Sequence, residues 1–310
     1  MTQLFSHLRV SSEYSISQGL LTVDQIVDNA IRNSVPSVAL TDKSNMFGLV
    51  KFFNKCESAG IKPISGSSIR LIFDDDDTSY ELLCLAKTNN GHKNLMKIIS
   101  NAHNNSLYNF PIIRFNDLIE LKDDIIVISG GKDSHIFEYL KSNNISDASK
   151  RIDDFRNSFG DNFVLDVQLT NRIDEIEYLK NVLPIAKDKG IPLIATNDVL
   201  FAEQDDYEIH ETKVCINTGK TLNDPNRERV FSEHQYFKSP QEMTELFKDY
   251  DSLIDNTNEI SKKCNVSLET KGYFLPEYPV PKKHNFDSFL EEISTQRIES
   301  YIKDFDGEKH

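Results

Sequence analysis

Short apolar strands alternating with amphipathic helices through the first two hundred residues predict an α/β fold, a parallel sheet on its way to closing as a barrel. Seven candidate strands carry this reading: His7–Val10, Ser37–Thr41, Ile69–Phe73, Leu82–Ala86, Ile125–Ser129, Phe163–Val167 and Leu193–Thr196, with helical patterns between most of them. Seven is an awkward count for a doubly wound sheet and a natural one for an incomplete barrel. A second observation points the same way. The runs Pro36–Asp42 and Ile191–Asp198 are buried strands that end in a carboxylate, and the carboxyl ends of barrel strands are where such folds hold their chemistry. In both runs the expected partner is missing, because Lys43 follows Asp42 and Leu200 stands two places after Asp198.

The helices read as follows. Thr22-Val-Asp-Gln25 is a capping box that opens a helix toward Ser34. Asn45 to Ala59 is helical and stops at Gly60. Further helices are expected near Gly91–His103, Ser146–Phe159, Asp174–Lys189 and Gln204–Asn217, and Pro184 should kink or split the one that holds it. After Gly219 the pattern changes. Ser239-Pro-Gln-Glu242 is a second capping box, with helices near Gln241–Phe247 and Leu253–Cys264. The proline-rich stretch Tyr273–Pro281 reads as a boundary, and Phe286–Tyr301 as an amphipathic helix lacking its packing partners, so the chain is expected to stop just inside a following domain. Asp74–Asp77 reads as a solvated loop.

Composition narrows the function. A net charge of -14 opposes binding to a phosphate backbone, and the small clusters Arg227/Arg229 and Lys282-Lys283 read as solvated surface. Cys56, Cys84, Cys215 and Cys264 form no CxxC pair, which leaves buried thiols and neither structural zinc nor a disulfide framework. No apolar run is long enough to span a membrane, the first residues show no signal core, and a cytoplasmic location is expected. No GxGxxG or GxxxxGK[ST] follows a strand. His92, His103, His135, His210 and His234 show no ligand spacing.

Several motifs coincide in order: His7–Ser15, Ala39-Leu-Thr-Asp-Lys-Ser-Asn-Met-Phe-Gly48, Gly60-Ile-Lys-Pro-Ile-Ser-Gly66, Ile191–Asp198, Tyr236-Phe-Lys-Ser-Pro-Gln-Glu-Met243 and Tyr273–Pro281. Together they resemble the amino-terminal part of bacterial DNA polymerase III alpha subunits, along essentially the whole chain. The resemblance implies a PHP (polymerase and histidinol phosphatase) domain, a distorted seven-stranded (β/α) barrel of TIM-barrel type. It would span 1–272, with the barrel over about 1–217 and a helical extension over about 218–272. Residues 273–310 would be the boundary and the start of the polymerase palm.

PHP domains with intact sites bind divalent metals at the barrel mouth through His, Asp and Glu. Carried over by resemblance, the opening His-x-His becomes His7-Leu-Arg9, a further His falls at Ser11, and an Asp falls at Gln18. Thr-Asp-His becomes Thr41-Asp42-Lys43, Gly-x-Glu becomes Gly66-Ser67-Ser68, a strand-borne His falls near Glu81, and Asp-x-His becomes Asp198-Val199-Leu200. His7, Asp42 and Asp198 are the remnants, with Glu81 and Asp166 as stand-ins; Arg9, Lys43, Ser68 and Leu200 are the substituted positions. Arginine has no lone pair to offer a metal and an ammonium must lose its proton first. Arg9 and Lys43 therefore place positive charge where metal charge would sit, each free to pair with Asp42 or Asp198.

Two functions follow from the resemblance. The first is a catalytically degenerate scaffold within a replicative polymerase, docking the proofreading exonuclease (epsilon) subunit, with no cofactor of its own. Magnesium and DNA would then be matters for the palm and the full-length polymerase. The alternative is an active metal-dependent phosphoesterase or 3′–5′ exonuclease, which needs a full ligand set.

Overall fold

The structure, a computed structural model, describes residues 4–104, 110–268 and 277–304. The first three residues, Gly272 and Tyr273 through Pro276 of the boundary stretch, and the tail after Asp304 lie outside the described residues. The chain divides into two compact units, Met1–Leu268 and Glu269–His310.

In chain order the elements of the first unit are α1 (Val23–Arg32), β1 (Ser37–Leu40), α2 (Leu49–Ser58), β2 (Lys62–Phe73), β3 (Asp76–Ala86), α3 (Asn89–Asn104), β4 (Ile113–Arg114), α4 (Phe115–Glu120), β5 (Ile125–Ile128), α5 (His135–Lys141), α6 (Ile145–Phe159), β6 (Phe163–Gln168), α7 (Glu175–Lys189), β7 (Leu193–Thr196), α8 (Tyr207–Thr218), α9 (Pro240–Leu246) and α10 (Asp251–Lys263). The second unit holds α11 (Phe286–Asp304), along which Phe286, Leu290, Ile298, Tyr301 and Ile302 are exposed.

The sheet runs β1-β2-β3-β5-β6-β7, with β4 paired to the far end of β2. It is mixed. β1 with β2, β5 with β6 and β6 with β7 are parallel, whereas β3 is antiparallel to both neighbours. The expectation of an all-parallel sheet fails at β3 for a covalent reason. Only Asp74 and Asp75 separate β2 from β3, and a parallel crossover needs a dozen residues or more. The predicted strand His7–Val10 is a run of isolated bridges. His7 bridges Val38 on β1, while Val10 bridges Val199 just past β7. Ala39 N donates to His7 O (2.8 Å) and Val199 N to Arg9 O (3.1 Å), so this segment joins the two edges of the sheet and closes the ring.

The side-chain period of two sorts each strand between two apolar layers. Ala39, Ile64, Leu83, Leu85, Ile126, Ile128, Val164 and Ile194 fill the barrel interior with Leu8, and Ile260 of α10 and Cys264 just past it join them. The alternate residues Ile69, Leu71, Cys84, Val127, Leu165 and Ala195 pack outward with α3 and α5–α7. Val38 and Leu40 pack with α1 and α2. All four cysteines are free and buried.

Both capping boxes form as read, Thr22 with Gln25 and Ser239 with Glu242, the latter with Pro240 at the first helical position. Three local expectations are corrected. The helix predicted from Asn45 starts at Leu49, because Asn45 Oδ1 accepts from Phe47 N (3.2 Å) in a side-chain turn that competes with the helix. α7 runs unbroken through Pro184, which lies on the exposed face, as does Lys180, whose carbonyl loses its helical donor toward water. The solvated loop read over Asp74–Asp77 is only Asp74 and Asp75, both exposed, because β3 already begins at Asp76. Asp74 accepts from Arg114 (2.8 Å) and Asn116 (2.7 Å), Asp75 from Arg151 (3.0 Å), and Asp76 from Tyr80 (2.8 Å).

The loop 11–19 folds back on itself so tightly that a Cβ on Gly19 would lie 1.8 Å from the Ser12 carbonyl oxygen. Because the obstacle is backbone, Gly19→Ala is expected to destabilise the chain by about 1–3 kcal/mol in urea unfolding. An unchanged midpoint would show that the loop can open without cost.

Candidate functional site: an ion-paired barrel mouth

Arg9 rises from the closing segment into the mouth. Its Nη1 donates to Glu81 Oε1 at 2.7 Å, and its Nη2 lies 3.7 Å from Asp166 Oδ2. Lys43, just past β1, donates from Nζ to the other Glu81 oxygen at 2.8 Å. One carboxylate is therefore shared by two cations, one oxygen each. Burial would push the Glu81 carboxyl up, but Lys43 and Arg9 hold it down at about 2. Burial alone would weaken the Arg9 charge, yet Asp166 and Glu81 raise its pKa above the ordinary value.

Glu81 and Asp166 reach the mouth by the same strand arithmetic. Asp166 is two residues past the interior Val164 on β6, and Glu81 is two residues before the interior Leu83 on the reversed β3. Asp166 is fully buried and densely solvated by the protein. Oδ1 accepts from Ser129 Oγ (2.9 Å), Gly130 N (2.8 Å) and Gly131 N (2.7 Å); Oδ2 accepts from Thr196 Oγ1 (2.9 Å) and Gln168 Nε2 (3.3 Å). Gly130 and Gly131 both adopt left-handed φ values (95° and 60°), which turns successive N–H groups toward the same oxygen.

The other remnant positions do different work. Asp42 accepts from Ser12 N (2.7 Å), Ser12 Oγ (2.7 Å) and Ser15 Oγ (2.6 Å), tying the loop 11–19 to β1. Burial raises its pKa despite those bonds. Asp198 is half-buried and accepts from Gln235 Nε2 at 2.8 Å. The expected pairing of Arg9 and Lys43 with Asp42 or Asp198 is thus replaced by pairing with Glu81 and Asp166. Asp42 is already saturated by the 11–19 loop.

His7 is fully buried between Phe5 and Phe237, and Nε2 donates to the Lys238 carbonyl at 2.7 Å. That bond fixes the tautomer and leaves Nδ1 bare, without a protein partner. Burial keeps the ring neutral, lowering its pKa to about 4. Ser68 contributes backbone, its carbonyl accepting from Ser44 N at 2.7 Å. Leu200 is core, with no exposed surface.

Residues not singled out in the sequence complete the mouth. Arg172 reaches Asp133 (3.1 Å) from Nη1 and Glu175 and Thr170 (both 3.0 Å) from Nε. Burial would raise the Asp133 carboxyl, but Arg172 and Lys132 keep it low. Lys238 is buried, donates to the His234 carbonyl and stands 4.3 Å above the Tyr236 ring; burial lowers its pKa to about 8. The Arg172 cluster carries no sequence signal, because it is assembled by the turn before α7, where Glu175 accepts from Thr170 N (2.6 Å). Arg227, read as surface, forms an ion pair with Glu211, and both side chains are buried. Among the described residues no three His, Cys, Asp or Glu side chains converge as a metal-binding group.

The PHP domain family matches residues 7–170. DNA polymerase III subunit alpha of Pseudomonas aeruginosa is 37% identical over 305 residues, which is 98% of this chain and 26% of that protein. DNA polymerase III subunit alpha of Escherichia coli K12 is 38% identical over 278 residues, 89% of this chain and 24% of that protein. The chain thus spans about a quarter of the length of the curated relatives it matches. An amidohydrolase from Chromobacterium violaceum superposes with a TM-score of 0.50 at 10% identity, over 67% of this chain and 96% of that one, a likeness of fold alone.

The ion pairs set a pH dependence. The Glu81 carboxyl titrates near 2 in the folded chain against an ordinary 4.5, so its stabilisation is complete above about 4.5 and is lost as pH falls toward 2. Glu81→Gln is expected to flatten the acid limb of urea stability across that window. Arg9→Met, which leaves Glu81 and Asp166 facing each other, is expected to cost about 3–5 kcal/mol at neutral pH. An acid limb unchanged by Glu81→Gln would show that the carboxylate is not held by its cations.

Proposed function

Since the chain belongs to the PHP domain family and corresponds to the PHP region of DNA polymerase III alpha subunits, we propose that it is a catalytically degenerate PHP scaffold that docks the proofreading exonuclease subunit of a replicative polymerase. The observation that carries the reading is the convergence of Arg9 and Lys43 on Glu81. A divalent cluster needs several lone-pair donors within bonding reach of one another. The donor set here does not fit one. The guanidinium and the ammonium occupy the oxygens of Glu81, Asp166 is spent on five protein donors, Asp42 on three, and the only bare lone pair of His7 is buried beside Phe5 and Phe237.

On this reading the mouth has a structural task. The two cations supply fixed positive charge, which a metal would otherwise supply; Arg9 holds the closing segment to β3 and β6, and Lys43 holds the chain just past β1 to β3. DNA synthesis belongs to the whole polymerase, with residues 273–310 as the boundary and the beginning of its palm region, and magnesium belongs to the palm active site of the full-length protein and not to these residues. DNA is met only through the full-length protein, in the cytoplasm. The absence, among the described residues, of any helix long and apolar enough to cross a membrane accords with this.

The test is one preparation measured three ways. The purified chain is expected to retain the cognate proofreading exonuclease subunit in a pull-down, to carry substoichiometric transition metal, and to leave p-nitrophenyl phosphate intact with added manganese. Stoichiometric metal together with hydrolysis abolished by Asp198→Asn would establish the phosphoesterase instead, and failure to retain the exonuclease would remove the docking role.

A further inference from the structure

A groove of about 550 Å³ runs between the β1–α2 loop and α3, lined by Met46, Phe47, Met96, Ile99, Ser100 and His103. Phe47 is 71% exposed and Met96 43% exposed. This exposure is built, because the loop beneath Phe47 is braced on both sides. His103 Nε2 donates to the Ser44 carbonyl (2.8 Å), and Asn45 Nδ2 donates to the carbonyls of Tyr14 (3.1 Å) and Lys43 (3.0 Å). The loop is thereby held in place while the aromatic ring stays in water. Two of the four methionines of the chain line this one groove, and methionine is the side chain that best adapts to an incoming apolar surface.

Charge identifies the occupant. Asp and Glu make up 49 of the 310 residues, yet the two segments that line the groove, 44–47 and 96–104, contain none. Within or close to them in the chain stand Lys43, Lys51, Lys55, Lys93 and Lys97. Lys43 is engaged by Glu81, and Lys51 and Lys55 by Asp24. Lys93 and Lys97 lie exposed on α3 and make no ion pair among the described residues. An apolar centre flanked by cations on an otherwise acidic protein suits an acidic peptide with bulky apolar anchors. A nucleic acid strand would call for a longer track of cations along its phosphates than these two lysines provide.

We propose that this groove docks an acidic segment of a protein partner, which sets apolar anchors against Phe47 and Met96 and carboxylates toward Lys93 and Lys97. The proposal rests on the docking reading above, and the partner tested is the proofreading exonuclease subunit. The experiment is calorimetric titration of that subunit into the wild-type chain, into Phe47→Asp/Met96→Glu and into Lys93→Glu/Lys97→Glu, with circular dichroism of each variant and a parallel titration of a fluorescent single-stranded oligonucleotide. All four side chains are exposed, so the variants are expected to keep the wild-type spectrum. The apolar variant is expected to bind at least about tenfold more weakly, as loss of a central anchor does. The charge-reversed variant is expected to bind more weakly and to lose the salt dependence of the wild type. Wild-type affinity in both variants would place docking elsewhere and overturn the groove while leaving the docking reading intact. No binding by the wild-type chain would overturn both. Oligonucleotide binding that disappears in Lys93→Glu/Lys97→Glu would make the face a nucleic acid site and refute the peptide.

Discussion

The contact on which the mouth depends is the shared carboxylate of Glu81, held by Arg9 on one oxygen and Lys43 on the other. These three residues come from three places in the chain: the closing segment, the end of β1 and the reversed strand β3. A barrel whose first strand is only a set of bridges needs something to fix that segment in the ring. Arg9 does so from inside, with its guanidinium between Glu81 and Asp166, while its backbone pairs across to Val199. A buried ion pair is weak evidence for net stability, since desolvation opposes it, but losing one partner strands the other. The mouth is therefore conditional: each charge is tolerable only while its neighbours stay charged.

The same arrangement bears on chemistry. Metal centres draw on lone pairs aimed at a common point. Here the lone pairs of Asp42, Asp166 and Glu81 are aimed at protein donors, and that of His7 Nδ1 is shut in the core. Activity in a PHP fold would require these partners to let go together. A docking role requires the reverse, a mouth and rim that do not move, and the braced loop that carries Phe47 beside Lys43 has that character.

Much of this was legible in the residues. Most of the strands with interior apolar positions and both capping boxes follow from local pattern, and the two substituted cations from the family resemblance. The partners of those cations do not. Glu81 lies at the mouth only because β3 runs backward, and the clue to that reversal is the two-residue Asp74-Asp75 connection, too short for a crossover. Asp42 looked free to pair with Lys43, but Ser12 and Ser15 reach it from a loop whose fold depends on Gly19. β4, α4 and α5 are too short to show a period, and Arg172 finds Asp133 only through tertiary packing.

The most direct test of the central claim is thermal unfolding of the wild-type chain with excess chelator and then with manganese. If Arg9 and Lys43 occupy the place of a metal, the midpoint is the same in both. If the mouth binds the ion, a hundredfold excess over Kd would add about 2.7 kcal/mol and raise the midpoint by several degrees, and that result would contradict the account.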